Sequence, residues 1–159
     1  DYPNMIAAAG WLHAAQPDIH FVLCGNGLDP ENAELTGWIE SRGLQKNFHL
    51  LGQRDDMPRI AAAMDLATSS SAYGEAFANV IGESMACGVP FVATDVGDAA
   101  IILGETGKVV PPQESAALAA AWYRHHEFGK GRHEGVRHHV ETSTGSGNWK
   151  ITGRKQAQR

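Results

Sequence analysis

The stretch Gly74-Glu75-Ala76-Phe77-Ala78-Asn79-Val80-Ile81-Gly82-Glu83-Ser84-Met85-Ala86-Cys87-Gly88-Val89-Pro90 decides the fold. It leaves a serine-rich loop, Ser69-Ser70-Ser71, passes through an alanine-rich helix predicted from about 77 or 78 to 87, and turns at Gly88 and Pro90 into an apolar segment. Glu75 and Glu83 frame it, with seven residues between them. A helix starting near Phe77 or Ala78 puts Glu75 just before its free N–H groups and Glu83 about two turns further on. At about 1.5 Å per residue, the offset from Glu75 to Glu83 is about 12 Å, close to the reach from a hexose across a diphosphate to a ribose. Free amides at a helix start meet phosphates, and carboxylates accept hydrogen bonds from sugar hydroxyls. A nucleotide sugar carries all of these groups.

Outward from this motif, apolar segments of strand length alternate with helical ones, the pattern of β/α units wound around a parallel sheet. Towards the N-terminus the spacing predicts a helix over 4–15, a strand over 19–24 ending at Gly25-Asn26-Gly27, and a helix capped by Asp29-Pro30 that runs to about 42. A short strand over 48–51 follows, then a helix capped by Asp55 or Asp56 through 64, and a strand over 66–69. Towards the C-terminus the pattern gives a strand over 91–94, a short irregular link at 101–103, a strand over 108–110 before Pro111-Pro112, and an amphipathic helix over 114–126. The expected fold class is α/β: a Rossmann-like three-layer sandwich with a parallel sheet of about five strands. One domain spans 1–126. From 127 to 159 the helical and strand periodicity fades into a Gly-, His- and Ser-rich extension without a predicted element.

Size and composition suit one soluble domain with a sizeable core: 159 residues, 43% apolar and 19% charged. The net charge of −5 hides an asymmetry. Residues 1–128 hold six Lys or Arg against sixteen acids, a net of −10, whereas 129–159 hold seven against two, a net of +5. An acidic body argues against nucleic acid as the main partner, because phosphate-backbone binding needs a basic surface. No apolar run approaches the roughly 18–20 residues that cross a bilayer, so no membrane span is expected in this segment. The chain opens at Asp1 without a signal-peptide pattern, and Cys24 and Cys87 sit far apart in apolar surroundings as free thiols. These features point to the cytoplasm, with any membrane association made through regions outside this segment.

With those residues in place, the chain closely resembles the C-terminal half of the group 1, or family 4, retaining glycosyltransferases with two Rossmann-like domains, the GT-B architecture. The features that carry the resemblance are Phe21-Val22-Leu23-Cys24-Gly25-Asn26-Gly27, Phe48-His49-Leu50-Leu51-Gly52, Asp65-Leu66-Ala67-Thr68-Ser69-Ser70-Ser71, the glutamate motif with Met85-Ala86-Cys87-Gly88-Val89-Pro90, Thr94-Asp95-Val96-Gly97 and Thr106-Gly107-Lys108-Val109-Val110-Pro111-Pro112. The resemblance covers about residues 1–125.

It implies transfer of a hexose from a nucleoside-diphosphate sugar, with retention at the anomeric carbon, no metal ligand and no cofactor beyond the donor. It assigns Glu75 to the donor-sugar hydroxyls, as the catalytic residue, and Glu83 to the ribose. Backbone amides near Ala76, Phe77 and Ala78 would meet the sugar and diphosphate, with Asn79 and Val80 flanking the phosphate and Gln53 and Arg54 at the nucleobase edge. The acceptor, a sugar, lipid or glycan, would bind an upstream N-terminal domain missing from this segment.

Two departures from the family pattern stand out: the positive charge at the diphosphate, and the tail, where the family's aromatic-containing helix crosses back onto the N-terminal domain but Trp149-Lys150 here is followed by Ile151-Thr152-Gly153-Arg154 without a clear apolar stripe. Family members place an Arg and a Lys upstream of the position where Asp1-Tyr2-Pro3 opens this chain, and no Lys or Arg occurs from Ile60 to Gly107. The diphosphate site is therefore left with amides and a helix dipole of about half a charge. The isolated segment is expected not to turn over.

Several of these residues also have simpler readings. Spacing alone fits Glu83 as a solvated helix carboxylate, and the surrounding match tips it towards ligand contact. Gly25-Asn26-Gly27 lacks the third glycine of a dinucleotide fingerprint and reads as a strand-end turn. The serines lack a nucleophile elbow. His125, His126, His133, His138 and His139 match no zinc spacing. A non-catalytic nucleotide-sugar-binding module and a sugar-nucleotide epimerase of the same architecture remain as alternatives. A phosphoreceiver domain ranks below them, because its acceptor aspartate should end a strand and Asp65 begins one.

Overall fold

The computed structural model describes residues 1–74, 79–129 and 138–142. The elements are α1 (Tyr2–Ala15), β1 (His20–Cys24), α2 (Ala33–Ser41), β2 (Phe48–Leu50), α3 (Met57–Ala62), β3 (Leu66–Ser69), α4 (Asn79–Ala86), β4 (Phe91–Thr94), α5 (Ala99–Leu103), β5 (Lys108–Val110), α6 (Ser115–Gly129) and β6 (His138–Thr142). Every strand pair is parallel, and the sheet order is β2-β1-β6-β3-β4-β5. The predicted α/β sandwich is present. Its sheet is the expected five strands, in a pair and a trio, joined by β6.

Strand alternation sends side chains to two helical layers. Phe21, Leu23, Phe48, Leu66, Val92 and Val110 face α1, α2 and α6, with Trp122 fully buried among them. On the other face, Ala67, Phe91 and Ala93 pack against α4 and α5. Val22 and Cys24 pack against Ile60 of α3. Strands β3 and β4 are buried along their whole length, which accounts for the apolar run Phe91-Val92-Ala93 of β4, while β3 buries the polar Thr68 and Ser69 as well. Trp122 Nε1 donates to Thr68 Oγ1 at 3.1 Å, and Thr68 Oγ1 donates to the Val92 carbonyl at 2.8 Å. This relay ties α6 to the middle of the sheet.

Four local expectations are corrected. Asp29 does not cap α2; Asn32 does, its Oδ1 accepting the Leu35 N–H at 3.0 Å, while its amide donates to the Gly27 carbonyl at 2.8 Å. Those two bonds turn residues 29–31 into a lead-in rather than a first helical turn. Asp56 precedes α3 but makes no side-chain cap bond, because both its oxygens are taken by Arg54. The link at 101–103 belongs to the short helix α5, with Ala99 and Leu103 buried against the sheet. Finally, residues 138–142, inside the extension for which no element was predicted, form a central strand. The backbone groups on the facing edges of β1 and β3 need partners, and this segment supplies them.

Candidate functional site

All strands are parallel, so their C-terminal ends share one edge, and the connecting loops gather there. The loops after β1 and β2 are fastened together. Gly25 N–H donates to the Gly52 carbonyl at 2.9 Å, and Gly52 N–H donates to the Leu28 carbonyl at 2.8 Å. Gly52 adopts φ +62°, a conformation that glycine reaches without strain. Gln53 and Arg54, predicted at the nucleobase edge, emerge exposed from this clasp. Arg54 grips Asp56 with two bonds of 2.9 and 3.0 Å. That bond raises the guanidinium's pKa and lowers the carboxyl's, so the positive charge here is already partnered.

At the middle of the edge, Ser70 is fully buried and its hydroxyl donates to the Asp1 carbonyl at 3.4 Å. Thr94 Oγ1 donates to the Ser71 carbonyl at 2.6 Å, so β4 holds the loop after β3. A cavity of about 450 Å³ opens beside them, lined by Asp1, Pro3, Ser71, Ala72, Tyr73 and Gln113. This is within the size range of small-molecule sites. Tyr73 stands 84% exposed at its rim. Gln113 holds φ +61°, the only positive value found for a non-glycine residue among those described. Sequence reasoning did not single out Tyr73 or Gln113. An exposed aromatic in a Ser/Gly loop was a usable signal for the first, whereas the left-handed backbone of the second has no sequence signature beyond the Pro111-Pro112 before it.

Helix α4 begins at the exposed Asn79 and buries Val80, Ile81 and Ser84. Glu83, on the same helix, is half-buried, and burial pushes its carboxyl above the ordinary value. One turn later Cys87 is also raised, first by burial and then by the negative charge of Glu83. Thus Asn79, Val80 and Glu83 lie together on α4, and Gln53 and Arg54 lie at the same sheet edge in the loop after β2. Glu75, Ala76, Phe77 and Ala78 lie outside the described residues. Among the described residues no group of three or more His, Cys, Asp or Glu is gathered to hold a metal ion. No described helix is long and apolar enough to cross a membrane.

Most of this edge, with the half-buried Glu83, sits within the part of the chain that matches a known family. The family model described as glycosyl transferases group 1 matches residues 4–127. The chain belongs to the group 1 glycosyltransferases.

Among curated relatives, phosphatidyl-myo-inositol mannosyltransferase of Mycobacterium leprae is 35% identical over 108 residues, which is 65% of this chain and 28% of that protein. D-rhamnosyltransferase WbpZ of Pseudomonas aeruginosa is 33% identical over 110 residues, 65% of this chain and 28% of the relative. Among solved structures, Anabaena Alr3699/HepE in complex with UDP-glucose superposes with a TM-score of 0.71 at 33% identity, covering 80% of this chain and 35% of that one. Sucrose-phosphate synthase from Thermosynechococcus elongatus gives 0.69 at 29% identity, covering 82% and 35%. This group 1 chain therefore has the α/β fold of the GT-B glycosyltransferases and spans about a third or less of the length of these relatives.

Proposed function

We propose that this group 1 chain is the donor-binding half of a retaining glycosyltransferase, which takes a hexose from a nucleoside-diphosphate sugar without a metal ion. The observation that supports this most is Glu83: a half-buried carboxylate on the helix that follows the loop beside the cavity, where its lone pairs suit ribose hydroxyls. Glu75 would hold the sugar hydroxyls at the reacting end, with the amides of 76–78 on the diphosphate and Asn79 and Val80 beside it. Gln53 and Arg54 would face the base. The solved relative Alr3699/HepE binds UDP-glucose, which makes a uridine diphosphate sugar the first donor to try.

Leaving-group departure builds negative charge on the diphosphate while the sugar gains oxocarbenium character, so donors aimed at the diphosphate accelerate transfer. At this edge the described residues offer Arg54 already paired with Asp56, together with backbone amides. The chain by itself should therefore bind donors weakly and transfer nothing, the acceptor being held by another domain.

Titration calorimetry with UDP-glucose, GDP-mannose and ADP-glucose tests this. One of the three should bind, and Glu83→Gln should weaken it by about 1–2 kcal/mol through loss of a charge-assisted bond. Binding unaffected by Glu83→Gln, or transfer of radiolabelled hexose by these 159 residues alone, would sink the proposal. The scarcity of positive charge also favours a second reading, a non-catalytic nucleotide-sugar-binding module. Joining the chain to an acceptor domain separates the two, because only a transferase half then gains turnover.

A further inference from the structure

At the opposite end of the strands from the cavity, His20 opens β1 and His49 lies in β2. His20 lies two residues before Val22, and His49 is the register partner of Val22, so both share the α3-side face of the sheet. Their rings stand 5.0 Å apart between centroids, tilted by 38°, and His49 Nε2 comes within 3.0 Å of His20 Nδ1. Two nitrogens bound to one Zn²⁺ at about 2.0–2.1 Å are separated by about 2.9–3.4 Å for bond angles near 90–110°. The 3.0 Å contact is a ring-to-ring hydrogen bond, and its length is also the separation that two adjacent ligands of one ion require. His20 is half-buried and His49 exposed, so an ion reaches them from solvent and can keep water in its other positions.

We propose that His20 Nδ1 and His49 Nε2 chelate a divalent transition ion of the imidazole-preferring class, such as Zn²⁺, Ni²⁺ or Cu²⁺. Each ring must then carry its remaining proton on the other nitrogen: His20 on Nε2 and His49 on Nδ1. The hydrogen held between the facing nitrogens is displaced by the ion and taken up, through solvent, on the far nitrogen of its own ring. The ion bridges the edge strand β2 to β1. It stabilises the fold by mass action and takes no part in sugar transfer.

The test is titration of the uniformly ¹⁵N-labelled full chain with ZnCl₂, following imidazole nitrogens residue by residue, with MgCl₂ as control. The expected result is that His20 Nδ1 and His49 Nε2 shift together over one equivalent, and that Mg²⁺ moves neither. His20→Gln or His49→Gln should each weaken Zn²⁺ binding at the remaining ring by at least about tenfold, since a chelate loses its effective concentration. His49→Cys, which keeps a ligand, should restore it, and this guards against a merely misfolded variant. Shifts confined to the histidines between 125 and 139, rings that respond at separate equivalents, or unchanged binding in a Gln variant would overturn the site.

Discussion

Glu83 couples fold, chemistry and pH through a single carboxyl. Its pKa is raised by burial, so between the ordinary carboxylate value and the raised one the folded chain holds a proton that the unfolded chain has lost. The sign follows: Glu83's contribution to stability is fully present below the ordinary value and declines as pH rises through the raised one. Glu83→Gln should flatten that decline in urea midpoints measured across the window just above the ordinary carboxylate value; an unchanged slope would contradict the burial. On the proposal that Glu83 holds the donor's ribose, the ionised carboxylate is the stronger acceptor, so donor binding should strengthen over the same interval. Removing its charge should also lower the Cys87 pKa and speed alkylation of Cys87 by iodoacetamide at pH 8, while the buried Cys24 stays slow. A second residue-scale test concerns Thr68, whose hydroxyl accepts from Trp122 and donates to the Val92 carbonyl. Thr68→Val keeps the shape but removes both of these buried hydrogen bonds, and should cost about 1–3 kcal/mol in chemical unfolding.

At the scale of elements, α5 is held by how closely β4 and β5 pass it. A methyl group at Gly107 would stand 2.5 Å from Leu103 Cδ2 and 2.7 Å from the Phe91 carbonyl oxygen, and the second contact is with backbone that cannot swing aside. Gly107→Ala should therefore destabilise by about 2 kcal/mol or more, read as a lower melting temperature; a neutral outcome would mean that β4 and β5 are looser than described. The contrast between elements shows what sequence could reveal. Strand β4 lies on the apolar run Phe91-Val92-Ala93, because a strand buried on both faces takes such a run, with Pro90 and Asp95 to punctuate it, whereas β3 ends on the buried polar pair Thr68-Ser69 and β5 opens on the exposed Lys108. Helix α2 starts later than expected because Asn32 outcompeted Asp29 for the cap, a choice fixed by the Gly27 carbonyl that Asn32 also holds. Five residues are too few for α5 to show a helical period. At the site, Glu83 was visible as one half of a spaced pair, while the cavity needed Gln113 brought beside Asp1 and Tyr73 by the tertiary fold.

At the scale of the molecule, the sheet is one sheet only because β6 lies between β1 and β3. Without it, β2-β1 and β3-β4-β5 are separate groups with two open edges in the middle of the fold. Nothing in His138-His139-Val140-Glu141-Thr142 resembles the apolar run of a strand buried on both faces; the strand state comes from the ladder that its neighbours offer. Val140 pairs with Val22 on one side and Ala67 on the other, so its N–H has no solvent-facing edge to turn to. Proline there removes a ladder donor and leaves a buried carbonyl unpaired, at a cost of about 2 kcal/mol or more. Val140→Pro should lower the urea midpoint and raise binding of a hydrophobic dye as the two inner edges open. In the unmodified chain, the amides of 138–142 should exchange with deuterium as slowly as those of β1. If the Pro variant unfolds at the wild-type midpoint and those amides exchange within seconds, the two strand groups are not joined by this segment and the central position belongs to a different strand.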